Sequence, residues 1–363
     1  MRNINRPLAD IKKAKSVSGW KPKFLSSLAL PYIMKVLITG AGGYIGTVLT
    51  EELIKRNHEV VALDRFLFGE TLDSYPEIKK IVDDIRTIPV EKLRDAMAGV
   101  DAVVDLAALS NDPSGELNAI NTISINHLGR FRMASLSKYF SVQKYILPSS
   151  CSIYGFNDEY VDENSLPNPL TTYAKANLMI EKDSMTLNDD NFQVTTFRLA
   201  TVYGLSEKRM RFDLVVNDVV GQIFTKGFTN LTTGGKQWRP FVHVRDVSKA
   251  LIMGVESKAN LGGKIFNLGS NEQNYQIIDV AKKVFSALNK DVKYNWVGSP
   301  DNRSYRVKFD RISKELGFKP DFDIGRGARE VSDSLERKAI TYGDDRNITV
   351  KWYKHLIEQG IQL

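Results

Sequence analysis

From Lys35 onward the chain alternates short β-branched runs with stretches of helical period. KVLITG (35–40) predicts a buried strand, 44–57 a helix and EVVALD (59–64) a second strand. KIVDDI (80–85), AVVDLAA (102–108), KYILPSS (144–150) and VTTFRLATVYG (194–204) continue the strand series, with long helical patterns at 115–139 and 171–188 between them. Parallel neighbours need crossover connections, so this rhythm predicts an α/β fold whose doubly wound parallel sheet is covered by helices on both faces. After Gly204 the rhythm changes. A helical stretch at 210–225, the segment 229–247, a helix to 257, the run KIFNLGS (264–270) and a helix at 276–289 predict a smaller C-terminal α/β lobe. It is expected over the carboxyl edge of the sheet, where ligands of open α/β folds bind. The boundaries that follow are a leader over 1–33, a first domain over 34–204, and a lobe over 205–363 interleaved with it.

Composition changes this picture little. With 363 residues, 42% hydrophobic and 26% charged, the chain is ordinary globular material, which excludes fibrous, low-complexity and largely disordered classes. One cysteine, Cys151, excludes a disulfide framework and a multi-cysteine metal site, so no metal is expected and a reducing, cytoplasmic location is. Charge is more informative. Residues 1–33 hold seven Lys and Arg against Asp10 alone, which is +6 of the total +7 and leaves the body near neutral. A nucleic-acid partner is therefore not expected of the folded body. The leader has charges running on to Lys23 and an apolar stretch broken by Ser26, Ser27 and Pro31, a poor secretory signal. It reads as a disordered extension, with Met34 as a candidate start; a basic segment almost free of acids is also compatible with an organellar presequence or an anionic-surface tether. No stretch reaches the length of a membrane span.

Candidate chemistry begins where the first strand ends. Gly40, Gly43 and Gly46 surround Tyr44 and Ile45 in TGAGGYIG (39–46), between a strand and a helix. Such glycines allow a tight turn, close backbone approach to a pyrophosphate, and packing of helix on strand. Asp64, at the end of the second strand, is placed to accept hydrogen bonds from the adenosine ribose hydroxyls and to repel a 2′-phosphate. This predicts a Rossmann-type domain that binds NAD, although Arg65 would partly offset that repulsion. Asp84 and Ile85, after the third strand, are expected near the adenine.

Taken together, TGAGGYIG (39–46), LAA (106–108), SSCSIYG (149–155), YAKAN (173–177), RPFVHVRDV (239–247) and LGFKP (316–320) resemble the extended short-chain dehydrogenase/reductase family, specifically its nucleotide-sugar epimerases and dehydratases. The likeness covers nearly all of 35–320. It implies that Leu106, Ala107 and Ala108 border the cofactor, that Tyr173 takes a proton from a sugar hydroxyl, and that Ser150 hydrogen-bonds the same hydroxyl. A lysine four residues after the tyrosine normally lowers the phenol pKa; here that position is Asn177. Lys175 lies off that helix face and is no substitute. An amide can hydrogen-bond a ribose but brings no charge. Losing two or three pKa units of activation would cost on the order of 10²–10³ in active base at neutral pH. Either the enzyme is slow or another group assists.

The acid pair of the family's 4,6-dehydratases is replaced by Cys151 and Ser152, and Cys151 is expected to be a buried small residue. The resemblance then implies a 4-epimerase. The alternatives are a nucleotide-sugar dehydrogenase, reductase or dehydratase, or a weakly active homologue because of Asn177. Arg239 and Arg303 are expected to clasp the substrate diphosphate, with Arg211 adding charge and Thr201 standing where relatives place a substrate-contacting Asn. His243 is expected to brace the fold. The helices around 115–139 and 171–188 pair across a two-fold axis in the family, which implies a homodimer.

Overall fold

The computed structural model describes residues 33–299 and 303–363; the leader, but for Ile33, lies outside the described residues. Fourteen strands follow in chain order. They are β1 (Lys35–Thr39), β2 (Glu59–Asp64), β3 (Lys79–Val82), β4 (Ala102–Asp105), β5 (Lys144–Ser150), β6 (Phe156–Val161) and β7 (Gln193–Leu199). After these come β8 (Thr201–Tyr203), β9 (Thr229–Thr232), β10 (Trp238–His243), β11 (Ile265–Leu268), β12 (Asn274–Gln276), β13 (Tyr294–Val297) and β14 (Ser304–Val307).

Seven strands form one parallel sheet in the order β11-β7-β5-β4-β1-β2-β3. The expected doubly wound, Rossmann-type sheet is therefore present. Its central strands are buried on both faces, as their unbroken Val, Ile and Leu runs require. Strand order reverses between β1 and β4, where Thr39 faces Leu63 on one side and Asp105 on the other. The carboxyl ends of these strands open a crevice at this switch point.

Several elements differ from the sequence expectation. The run 194–204 is not one strand: it breaks at Ala200, so β7 stays in the large sheet while β8 pairs with β10 in a second sheet. VTTFRLATVYG has β-branched and aromatic residues on both sides of Ala200 and no Gly or Pro before 204, so nothing in it marks a change of neighbours. KIFNLGS was assigned to the small lobe, yet β11 is the edge strand of the large sheet, in register with Thr196–Leu199. The strand expected at 80–85 stops at Val82, and Asp84 and Ile85 lie in the turn beyond it. The helix expected over 115–139 is a short helix Ala119–Ile123, a π-turn over Ser124–Gly129, and a helix Arg130–Tyr139. The π-turn inserts an extra residue into the helical repeat directly before Arg130, which is buried.

The small lobe packs the helices Val215–Lys226, Ile277–Ala287 and Ile324–Glu336 around Phe212, Phe241 and Phe285. The first of these starts at Val215 rather than 210, because 205–214 crosses the carboxyl edge of the sheet as an irregular segment. A last helix, Thr349–Glu358, returns to the large sheet: Trp352 Nε1 donates to the Leu67 carbonyl at 2.6 Å, and Tyr353 meets Phe68 with ring centroids 5.4 Å apart. No described helix is long and apolar enough to cross a membrane.

Candidate active site

The crevice at the switch point is bordered by the glycine turn. Gly40 has φ +67°, and a Cβ there would lie 2.7 Å from the Leu106 carbonyl carbon, so the turn and the strand end at Leu106–Ala108 approach backbone to backbone. A Cβ on Gly46 would stand 2.3 Å from the Gly40 carbonyl oxygen. Helix Tyr44–Lys55 is thereby drawn against the turn, and its N-terminus, capped by Gly43 with no side-chain hydrogen bond, faces the crevice. Those first N–H groups and the positive end of the helix suit a diphosphate.

Asp64 is set by its own backbone surroundings. Its carboxylate accepts from Gly42 N at 2.9 Å and Phe66 N at 2.6 Å. Burial raises its pKa from the ordinary value of 3.8, and these backbone hydrogen bonds offset part of that. Arg65 pairs with Asp84 at 3.6 Å and donates to the Gln362 carbonyl at 2.6 Å, while its charge also acts on Asp64, lowering the pKa. Asp84 is held by Arg86 at 2.6 Å, and this guanidinium, after the opposing effect of burial, keeps its carboxyl below the usual range.

The same crevice is lined by Gly40, Gly43, Tyr44, Ile45, Gly46, Asp64, Asp84, Ile85, Leu106, Ala107 and Ala108. The residues present therefore fit a dinucleotide, with glycine backbone for phosphates and a carboxylate for ribose. Sequence reasoning missed Phe68, Ile125 and Tyr353 on its walls, which come from turns and from the distant last helix. Their apolar spacing is that of ordinary core, so no local signal marked them. Arg211, expected to add charge toward the substrate, lines this crevice, paired to Asp213 at 2.8 Å and donating to Ser110 Oγ at 3.1 Å. Arg209 joins it, its guanidinium 3.6 Å from the Phe68 ring centroid and its pKa pushed down to about 10 by burial and by Arg211.

Tyr173 is not among the residues lining this crevice. It is in the first turn of helix Thr172–Met185, whose cap Thr171 accepts from Ala174 N at 3.1 Å. A Cβ on Gly115 would meet the Tyr173 Cβ at 2.9 Å, so a glycine there lets the two segments close. Burial and the Asp112 carboxylate raise the phenol pKa; hydrogen bonding with Asn177 and Ser150 and the positive charge of Arg130 lower it. Ser150 ends β5 and accepts from Ser152 N at 3.1 Å, which leaves its own hydroxyl proton to donate. Asn177 is buried and donates to the Tyr173 carbonyl at 3.1 Å, while Lys175 points to solvent.

Several further polar and charged groups flank this cluster. Glu181 is buried in a bidentate pair with Arg198 at 2.8 and 3.1 Å. Cys151 is buried, its thiol pushed up by desolvation and directed at the Arg198 carbonyl at 3.2 Å. His243 stacks on Phe322 at 4.0 Å and meets Glu330 at 3.0 Å. Arg303 pairs with Asp112, whose charge acts on Tyr173, and the main-chain carbonyl of Arg303 accepts from the Arg239 guanidinium at 2.5 Å. Thr201 is half-buried in β8, with its backbone opposite Phe241, and does not line the cofactor crevice.

Comparison with known proteins agrees with this geometry. The profile of the NAD dependent epimerase/dehydratase family matches residues 36–269. A putative UDP-glucose 4-epimerase of Methanocaldococcus jannaschii is 25% identical over 302 residues, 82% of this chain and 96% of that protein. The UDP-glucose 4-epimerase of Lactobacillus helveticus is 28% identical over 311 residues, 79% of this chain and 92% of that one. In structure, the UDP-glucuronic acid 4-epimerase of Bacillus cereus, solved with UDP-glucuronic acid and NAD, superposes with TM-score 0.75 at 23% identity over 84% of this chain and 100% of that chain.

Proposed function

As the chain belongs to the NAD dependent epimerase/dehydratase family, we propose that it is a nucleotide-sugar 4-epimerase acting by transient oxidation of the C4 hydroxyl. Two observations carry this reading: a crevice whose glycine turn and Asp64 suit a dinucleotide, and the mutual hydrogen bonding of Tyr173 with Ser150 and Asn177. Bound NAD supplies a reversible acceptor for the hydrogen at C4. Tyr173 takes the hydroxyl proton and returns it after the sugar has presented its other face; Ser150 Oγ holds the reacting oxygen. The paired Arg239 and Arg303 suit the substrate diphosphate. Elimination of water would need an acid and a base at 151 and 152, where a desolvated thiol and a hydroxyl stand. That favours epimerisation over dehydration.

Leu128, Tyr139 and Met179 are exposed on the helical layer containing Arg130–Tyr139 and Thr172–Met185, an apolar face suited to a second copy of the chain. The working unit in this reading is a homodimer. The functional test is incubation of the protein with NAD and a panel of UDP-, GDP-, dTDP- and CDP-sugars. One pair of 4-epimers should interconvert; absence of conversion across the panel rejects the proposal.

A further inference from the structure

The position that should carry a lysine holds a neutral amide, yet the site has a cation. Arg130, buried in the helix that follows the π-turn, reaches across to the Tyr173 helix and donates from Nη1 to Asn177 Oδ1 at 3.4 Å. The other side of the guanidinium is anchored elsewhere. Nε donates to Asp105 Oδ2 at 2.9 Å, and Nη2 to the carbonyls of Asp105 and Pro148, each at 2.7 Å. The Asp105 carboxylate is further occupied by Thr39 Oγ1 at 2.5 Å and Tyr145 Oη at 2.6 Å.

The ion pair is thus oriented. Its carboxylate is surrounded by donors on the side of β1 and β5, and its positive Nη1 edge faces Asn177. That amide in turn donates to the Tyr173 backbone at 3.1 Å and hydrogen-bonds the phenol. We propose that Arg130, acting through Asn177, replaces the missing lysine as the fixed positive charge that favours the Tyr173 phenolate. This rests on Tyr173 being the proton acceptor, and it makes Arg130 a positioning residue. The positive charge of Arg130 acts on the phenol in the direction of ionisation, as an opposite charge near such a group does. A lysine at 177 would instead set a second cation within hydrogen-bonding reach of Arg130, so the amide and the arginine belong together.

The test is the ionisation of Tyr173 in the NAD-loaded protein, read as the ultraviolet difference between each protein and its Tyr173→Phe counterpart across a pH titration. Asp105→Asn with Arg130→Met removes the charge without orphaning a buried carboxylate. In that pair of changes the Tyr173 midpoint should rise by about one pH unit or more, a tenfold loss of phenolate at neutral pH, and adding Asn177→Lys should bring it back. An unmoved midpoint in a variant that still binds NAD overturns the proposal. Should that double variant not fold, the milder pair Asp105→Asn with Arg130→Gln decides by the same reading: a risen midpoint supports the inference, and an unmoved one refutes it. The titration reads the phenol whether or not any sugar turns over, so its failure is distinct from failure of the epimerase reading.

Discussion

The glycine-turn crevice and the Tyr173 cluster are built in different ways. At the glycine turn the binding groups are backbone N–H groups held by chain geometry, with one carboxylate, Asp64, tied to its own neighbours at Gly42 and Phe66. At Tyr173 they are side chains from separate elements: Ser150 from the end of β5, Asn177 one helical turn on, and Arg130 from another helix. A backbone-built site leaves little freedom, since a Cβ at Gly46 has nowhere to go. A side-chain-built site can move a charge from one element to another and keep the same field at the reacting oxygen.

The contrast is sharpened first by Tyr173→Phe, which should lower turnover by about 10²–10⁴-fold while leaving NAD binding intact, as measured by steady-state rates and cofactor titration. Next in size is Arg198→Leu, which strands the buried Glu181 carboxylate and should cost about 3–5 kcal/mol in denaturant unfolding. Asp64→Asn should then weaken NAD by about 1.5–3 kcal/mol, visible in calorimetry, and narrow its preference over NADP. The sign of the pH dependence follows from Asp64 as well. Ribose hydroxyls need the ionised carboxylate as acceptor, and burial raises its pKa; NAD affinity should therefore fall with falling pH, starting above the ordinary carboxylate range. Gly46→Ala, forced against the Gly40 carbonyl, should lose about 1–3 kcal/mol in thermal unfolding. Smallest is Met179→Lys on the apolar helical face, expected to shift the mass in solution from two copies to one with the fold retained.

The same division decided what could be read from the sequence. The parallel sheet was legible because β1, β2, β4 and β5 are short apolar runs between helical repeats, and the glycine turn because its conformation demands glycine at fixed intervals. Asn177 was legible as a gap. Arg130 was not, because an arginine in a helix reads as solvated surface, and only the π-turn and the acid at the end of β4 explain its burial. Likewise Tyr353 reaches the crevice from nearly three hundred residues beyond Asp64, a separation that local pattern does not span. Arg211 carried the right chemistry, but its place depended on an irregular segment with no period to follow.

The central claim is that hydrogen leaves and returns at one sugar carbon within this crevice while Tyr173 moves the hydroxyl proton. It is tested most directly with a nucleotide sugar deuterated at C4, incubated with the NAD-loaded protein in ordinary water. The account predicts the C4 epimer with the deuterium still at C4, and no epimer from Tyr173→Phe beyond a trace. Loss of the label to solvent during epimerisation, or equal conversion by the Tyr173→Phe protein, would contradict it.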